Sequence, residues 1–126
     1  MDMHQDSELA RHVIDLAIKV HTTLGPGLPA DVYEFALCHE LDAAGLPYKR
    51  QVELHLNYRG TELDMPYRAD IIVQDEVLLE IKAVEQIEPI HETELFTYLK
   101  MSGCKVGFLL NFFTISLMDG IRRRVP

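Results

Sequence analysis

The stretch YRADIIVQDEVLLEIKA, residues 67–83, constrains this chain more than any other. It sets three charged side chains, Asp70, Glu80 and Lys82, within two apolar runs that Gln74-Asp75-Glu76 separates. Runs of that kind around a short polar break read as two strands joined by a tight turn. If the hairpin turns about Asp75, position 70 lies opposite position 80. Side chains alternate along a strand, so Glu80 and Lys82 share one face and Ile81 points to the other. Cross-strand Cβ atoms lie roughly 4.5–5.5 Å apart, which brings Asp70, Glu80 and Lys82 together on one side of the pair. Two carboxylates so close repel unless positive charge sits between them. A lysine meets that need, and so does a divalent cation with hard oxygen ligands. Mg²⁺ suits the pair, because it takes one or two carboxylates and fills its shell with water and phosphate oxygens. A lysine beside it can orient or help deprotonate an attacking water and steady charge on phosphorus. A cross-strand salt bridge on a solvated face would use the same three residues. The apolar neighbours in ADIIV and VLLEIKAV argue for burial, and buried charges need partners or a function.

The rest of the chain arranges helices around these strands. Asp6 or Ser7 can cap a first helix, with Leu9, Val13, Leu16, Ala17, Val20 and Leu24 at helical spacing, and Gly25-Pro26-Gly27 ends it. Pro29 suits the first turn of a second helix, with Val32, Tyr33, Ala36, Leu37, Leu41 and Ala44 inward and Gly45 as its stop. After Pro47 the period shortens to two, and Val52, Leu54, Leu56 and Tyr58 predict a first strand, closed by an Arg59-Gly60 turn. Strands over 67–73 and 77–83 follow, then a helix over 90–101 stopped by Gly103. A central strand over 106–112 comes next, with another beside it over 114–118. Helix, helix, three strands, helix and one or two strands make an α/β protein with a mixed sheet, in one domain over residues 1–126.

The 48% apolar and 25% charged composition is that of a soluble globular domain. No apolar run is long enough to span a membrane, so no membrane partner is expected. MDMHQDSELARH lacks the basic and apolar segments of an export signal, and the two cysteines show no metal-ligand spacing. Together these read as a cytoplasmic protein with reduced thiols. A net charge of −8 argues against a general nucleic-acid coating protein but not against a nuclease, whose cations offset its acidic ligands. Lys49-Arg50 and Arg122-Arg123-Arg124 are the basic clusters able to hold phosphate, or else solvated surface.

The ordered blocks GPGLPADVYEFALCHEL, RADIIV, VLLEIKAV, IHETELFTYLK and KVGFLLNF followed by GIRRRV resemble the PD-(D/E)XK nuclease superfamily, and more closely its small GxxExxY family. The resemblance runs from about Val13 to Val125. It implies a restriction-endonuclease-like core, a central mixed sheet of four to five strands flanked by helices, with a metal site on the second and third strands. It implies Asp70 and Glu80 as ligands of Mg²⁺ or Mn²⁺, the Ile81 carbonyl as a third, and Lys82 as the catalytic lysine.

Two departures stand out. Gly27 and Tyr33 match GxxExxY, but Ala30 replaces its glutamate, an accessory acid for the metal or its water. Glu34 lies one turn along the same helical face and is the better substitute. Asp31 is turned about 100° away and favours the helix N-terminal dipole. Glu94 stands where the family usually has glutamine, and an ionised glutamate cannot donate a hydrogen bond. It either joins the site as a ligand or faces solvent. His91 reads as a helix N-terminal residue, Tyr33 and Tyr98 as packing groups, and Phe112-Phe113 as strand core and edge. Two functions follow: metal-dependent phosphodiester hydrolysis on DNA or RNA, weakened by Ala30 and Glu94, or an inactive nuclease scaffold that binds nucleic acid or protein. The small size points to a homodimer or a protein partner that enlarges the recognition surface.

Overall fold

The computed structural model describes residues 6–126, with only the backbone described at 64–66. The N-terminal reading of Met1–Gln5 lies outside the described residues. The first helix, α1 (Glu8–Leu24), is capped by Ser7, whose hydroxyl accepts from the Ala10 N–H at 3.1 Å. Asp6 instead pairs with Arg123. Ala10, Val13, Ile14, Ala17 and Val20 form its buried face, while Leu24 is exposed because the stripe rotates off the core by the last turn. The second helix, α2 (Ala30–Ala43), begins just after Pro29. Tyr33, Leu37 and Leu41 are buried as expected, but Val32 and Ala44 face out and Glu34 and Cys38 face in. Tyr33 is fully buried and stacks on Phe112 with ring centroids 4.4 Å apart. Its hydroxyl donates to the Gly25 carbonyl and accepts from the Leu28 N–H, tying the Gly-Pro-Gly loop to the helix that follows.

Five strands follow in sheet order β1-β2-β3-β4-β5: β1 (Tyr48–Tyr58), β2 (Thr61–Val73), β3 (Val77–Lys82), β4 (Val106–Asn111) and β5 (Ile121–Arg124). The first two hairpins turn where the sequence expects. Arg59-Gly60 and Gln74-Asp75 both adopt the left-handed backbone of tight hairpin turns. β3 and β4 are parallel, and α3 (Pro89–Ser102) makes the crossover that a parallel pair requires. The other neighbours are antiparallel.

Helices α1 and α2 cover one face, over a core that includes Ile71, Val73, Leu79, Ile81, Phe108 and Leu110. Helix α3 covers the other, over Leu54, Ala69, Ile72, Leu78 and Leu109. Its Leu95 and Leu99 side chains pack onto Gly107, where an added Cβ would lie 3.0 Å from both. Among the described residues no helix is long and apolar enough to cross a membrane.

The expected strand over 114–118 does not form. At the end of β4 the buried Asn111 side chain accepts from the Val84 and Phe113 N–H groups and donates to the Val84 carbonyl. Those bonds end the ladder and bend the chain into a short 3₁₀ turn, Leu117–Gly120. The fifth strand is the arginine run instead. As an edge strand it holds Ile121 in the core and carries Arg122 and Arg123 half-exposed. Gly120 passes so close to Asn111 that a Cβ would sit 2.2 Å from its carbonyl oxygen. Gly120→Ala is therefore expected to cost about 2–3 kcal/mol, as overpacking against fixed backbone does. Urea unfolding measures it, with Ser7→Gly as a mild control.

Candidate active site

The β2–β3 ladder is regular from Val73↔Val77 to Ile71↔Leu79 and stops there. Its next rung would join Asp70 to Glu80, the register expected from a turn at Asp75. Side chains replace the backbone at that rung. The Ile81 N–H donates to Asp70 Oδ2 at 2.7 Å, and the Asp70 N–H makes a long 3.4 Å contact with Glu80 Oε1. The strands part, and both carboxylates enter the opening. Backbone N–H and C=O of one strand residue leave on the same edge, so the Ile81 carbonyl faces this opening too. Ile81's own side chain belongs to the core under α1 and α2.

Glu80 is buried. Burial first, and the Asp70 charge second, push its carboxyl up to about 9, while Lys82 pulls the other way. Glu80 thus keeps a proton at neutral pH, the state expected of a buried carboxyl beside a like charge without enough positive charge. Lys82 is half-exposed, and among the described residues no ion pair within 4.0 Å joins it to either carboxylate. A closed cross-strand salt bridge is therefore not what forms here. Helix α3 supplies Glu94 and Tyr98, both half-buried. Burial raises the Tyr98 hydroxyl, and Glu80, Glu94, Tyr67 and Asp70 add to the shift in that order, so Tyr98 stands close to the acidic group. Its ring lies 6.1 Å from that of Tyr67. His91 stays in the capping of α3, where its Nδ1 accepts from the Glu88 N–H.

Across the sheet, α2 brings one acid to this opening. Glu34 is buried and ion-paired with Arg50 at 2.5 Å, and the Arg50 guanidinium lies over the Phe35 ring. The Gln51 amide nitrogen contacts both Glu34 oxygens at 3.2 Å and Asp70 Oδ1 at 3.3 Å. Glu34 and Asp70 are thus linked through one side chain. Asp31 is exposed in the first turn of α2, and Ala30 offers no polar group there. The basic clusters are mostly committed elsewhere: Arg50 to Glu34, Arg123 to Asp6 and Arg124 to Glu92. Arg50 and Gln51 carry no motif. The only trace in the sequence is the polar run Lys49-Arg50-Gln51, which breaks the alternation leading into Val52.

Among the described residues no three His, Cys, Asp or Glu side chains form a ready-made metal cage. Two carboxylates and a carbonyl at one opening still fit a hard divalent cation, which takes one or two carboxylates and keeps several waters. Glu80, protonated for want of positive charge, is the kind of ligand such a cation would ionise.

No curated protein matches the chain. Among solved structures, the crystal structure of SSO0001 aligns with a TM-score of 0.51 and 22% sequence identity over 75% of this chain and 47% of that one. The present chain thus spans about half the length of that protein, and the likeness is one of fold, in keeping with a restriction-endonuclease-like core. The family model that matches describes the PD-(D/E)XK nuclease superfamily and runs over residues 7–124, taking in both helices before the sheet, the parted strands and the crossover helix. By that match over nearly its whole length, the chain belongs to the PD-(D/E)XK nuclease superfamily.

Proposed function

We propose that this protein is a divalent-metal-dependent nuclease that hydrolyses phosphodiester bonds in DNA or RNA. The observation that carries the reading is the opened rung, where Asp70, Glu80 and the Ile81 carbonyl meet while Lys82 shares Glu80's face. Asp70, Glu80 and the Ile81 carbonyl hold Mg²⁺ or Mn²⁺. Such an ion lowers the pKa of bound water and offsets charge on a phosphate. Lys82 orients the attacking water and steadies the negative charge growing on the phosphoryl oxygens. Within the superfamily we assign the chain to the GxxExxY family, with Ala30 in place of its glutamate. A reducing, cytoplasmic setting fits the free, buried Cys38 and Cys104.

A second reading, an inactive scaffold that binds nucleic acid or protein, draws on Glu34. Its carboxylate is already taken by Arg50 and Gln51, and Ala30 leaves no acid in reserve. Incubation of the purified protein with single- and double-stranded DNA and RNA, in Mn²⁺ and in chelator, separates the two. Metal-dependent cleavage is expected, and Ala30→Glu is expected to raise it by roughly tenfold, the usual reach of a supporting metal-site group. Absence of cleavage in both proteins on every substrate supports the scaffold.

A further inference from the structure

We propose that Gln51 is a positioning residue that fixes the Asp70 carboxylate for the cation, a role that rests on the metal-site reading above. Gln51 sits within β1 at φ 49°, a left-handed backbone that is rare for a non-glycine residue in a strand. The ladder with β2 is in register on both sides, Arg50↔Ile71 and Val52↔Ala69, and lacks only the Gln51–Asp70 rung between them.

The packing faces change at that rung. Residues two apart on a regular strand share a face. Yet Ile71 lies in the core under α1 and α2, and Ala69 in the core under α3. On β1, Arg50 reaches Glu34 of α2 while Val52 packs against the α3 core. Both strands therefore switch faces where Gln51 meets Asp70. One consequence is chemical: Arg50 and Gln51, adjacent residues that a regular strand would send to opposite faces, both bind Glu34.

The hydrogen-bond inventory closes around this arrangement. A glutamine amide has two N–H donors, and here they serve two carboxylates, Glu34 and Asp70. The reversed amide would set its oxygen against three carboxylate oxygens, so the orientation follows from the charges. Asp70 then has a donor on each oxygen, Gln51 on Oδ1 and the Ile81 N–H on Oδ2. Removal of Gln51 frees one side of that carboxylate. Strained backbone persists where its surroundings over-determine it, and such residues cluster at working sites.

The test is Gln51→Gly, which accepts the left-handed backbone and deletes the amide. In metal-free protein, exchange of the Ile81 amide, which reports where Asp70 Oδ2 sits, is expected to quicken about tenfold. The Leu79 and Leu109 amides of the unbroken sheet should keep their rates. Mn²⁺ affinity measured by calorimetry is expected to fall about tenfold, as when a partner of a metal ligand is lost. Unchanged Ile81 exchange overturns the proposal. Equal quickening of all three amides also overturns it, since that is a general structural effect. If the parent protein binds no Mn²⁺, the metal-site reading fails and with it the cation's part in this role, while the exchange pattern still decides whether Gln51 fixes Asp70.

Discussion

Lys82→Ala is expected to lower phosphodiester cleavage by roughly two to three orders of magnitude, the scale of losing one preorganised electrostatic group in an active site. Lys82 follows Glu80 by two residues on β3, so both leave the sheet on the side that α3 covers. The lysine's half-exposed side chain makes no ion pair among the described residues, which leaves its ammonium available to substrate. Mn²⁺ affinity should change little, because an ammonium repels the ion if anything. Glu80→Ala should lose cleavage to the same degree and metal affinity as well. Single-turnover cleavage beside calorimetry distinguishes the two variants. A Lys82→Ala protein with full activity would remove the lysine from the chemistry.

Glu80→Gln is expected to stabilise the metal-free protein at pH 8 by about 5 kcal/mol and to leave it nearly unchanged at pH 4.5. Glu80 is raised from 4.5 to about 9 by burial and by Asp70. The folded state thus holds a proton that the unfolded chain releases once the pH passes 4.5. Unfolding gains that release, so stability is full below pH 4.5 and falls as the pH rises toward 9. Glutamine keeps the shape and carries no such linkage. Urea midpoints of parent and variant across pH 4.5–9 should meet at the acid end and diverge steadily above it. Parallel curves would mean that Glu80 is ionised in the folded protein. Saturating Mn²⁺ should narrow the gap, because an ion bound only to the folded parent stabilises it.

The hairpin at the site was legible because its signals agree. Gln74-Asp75 supplies the turn, and the apolar runs on either side fix a register that sets position 70 against position 80. The length of β2 was not, since the run before Tyr67 contains Pro66 and acidic residues that read as loop, yet strand geometry extends back to Thr61, where β2 pairs with β1. The strand expected over 114–118 failed for a tertiary reason. Thr114 and Ile115 have high strand propensity, but Asn111 ends β4, and the Thr114 carbonyl accepts from His21 of α1 at 2.8 Å. The arginine run reads as surface from composition, and its pairing with β4 is visible only once the sheet's open edge is known.

Glu34 shows the same limit on a smaller scale. One-turn spacing from Ala30 made it the natural substitute acid, and it is buried beside the site. Its engagement by Arg50 and Gln51 depends on a change of face within β1 whose only trace in the sequence is the polar run before Val52. Asp31, next to Ala30 in sequence, stays exposed because one residue is a 100° rotation around a helix.

The most direct measurement is calorimetric titration of Mn²⁺ into the parent protein and into Asp70→Ala/Glu80→Ala near pH 7.5. The parent is expected to bind one ion with release of the Glu80 proton, seen as a heat that varies with the ionisation enthalpy of the buffer. The double variant is expected to bind none. Equal binding by both proteins, or none by either, would contradict a metal site at the parted strands.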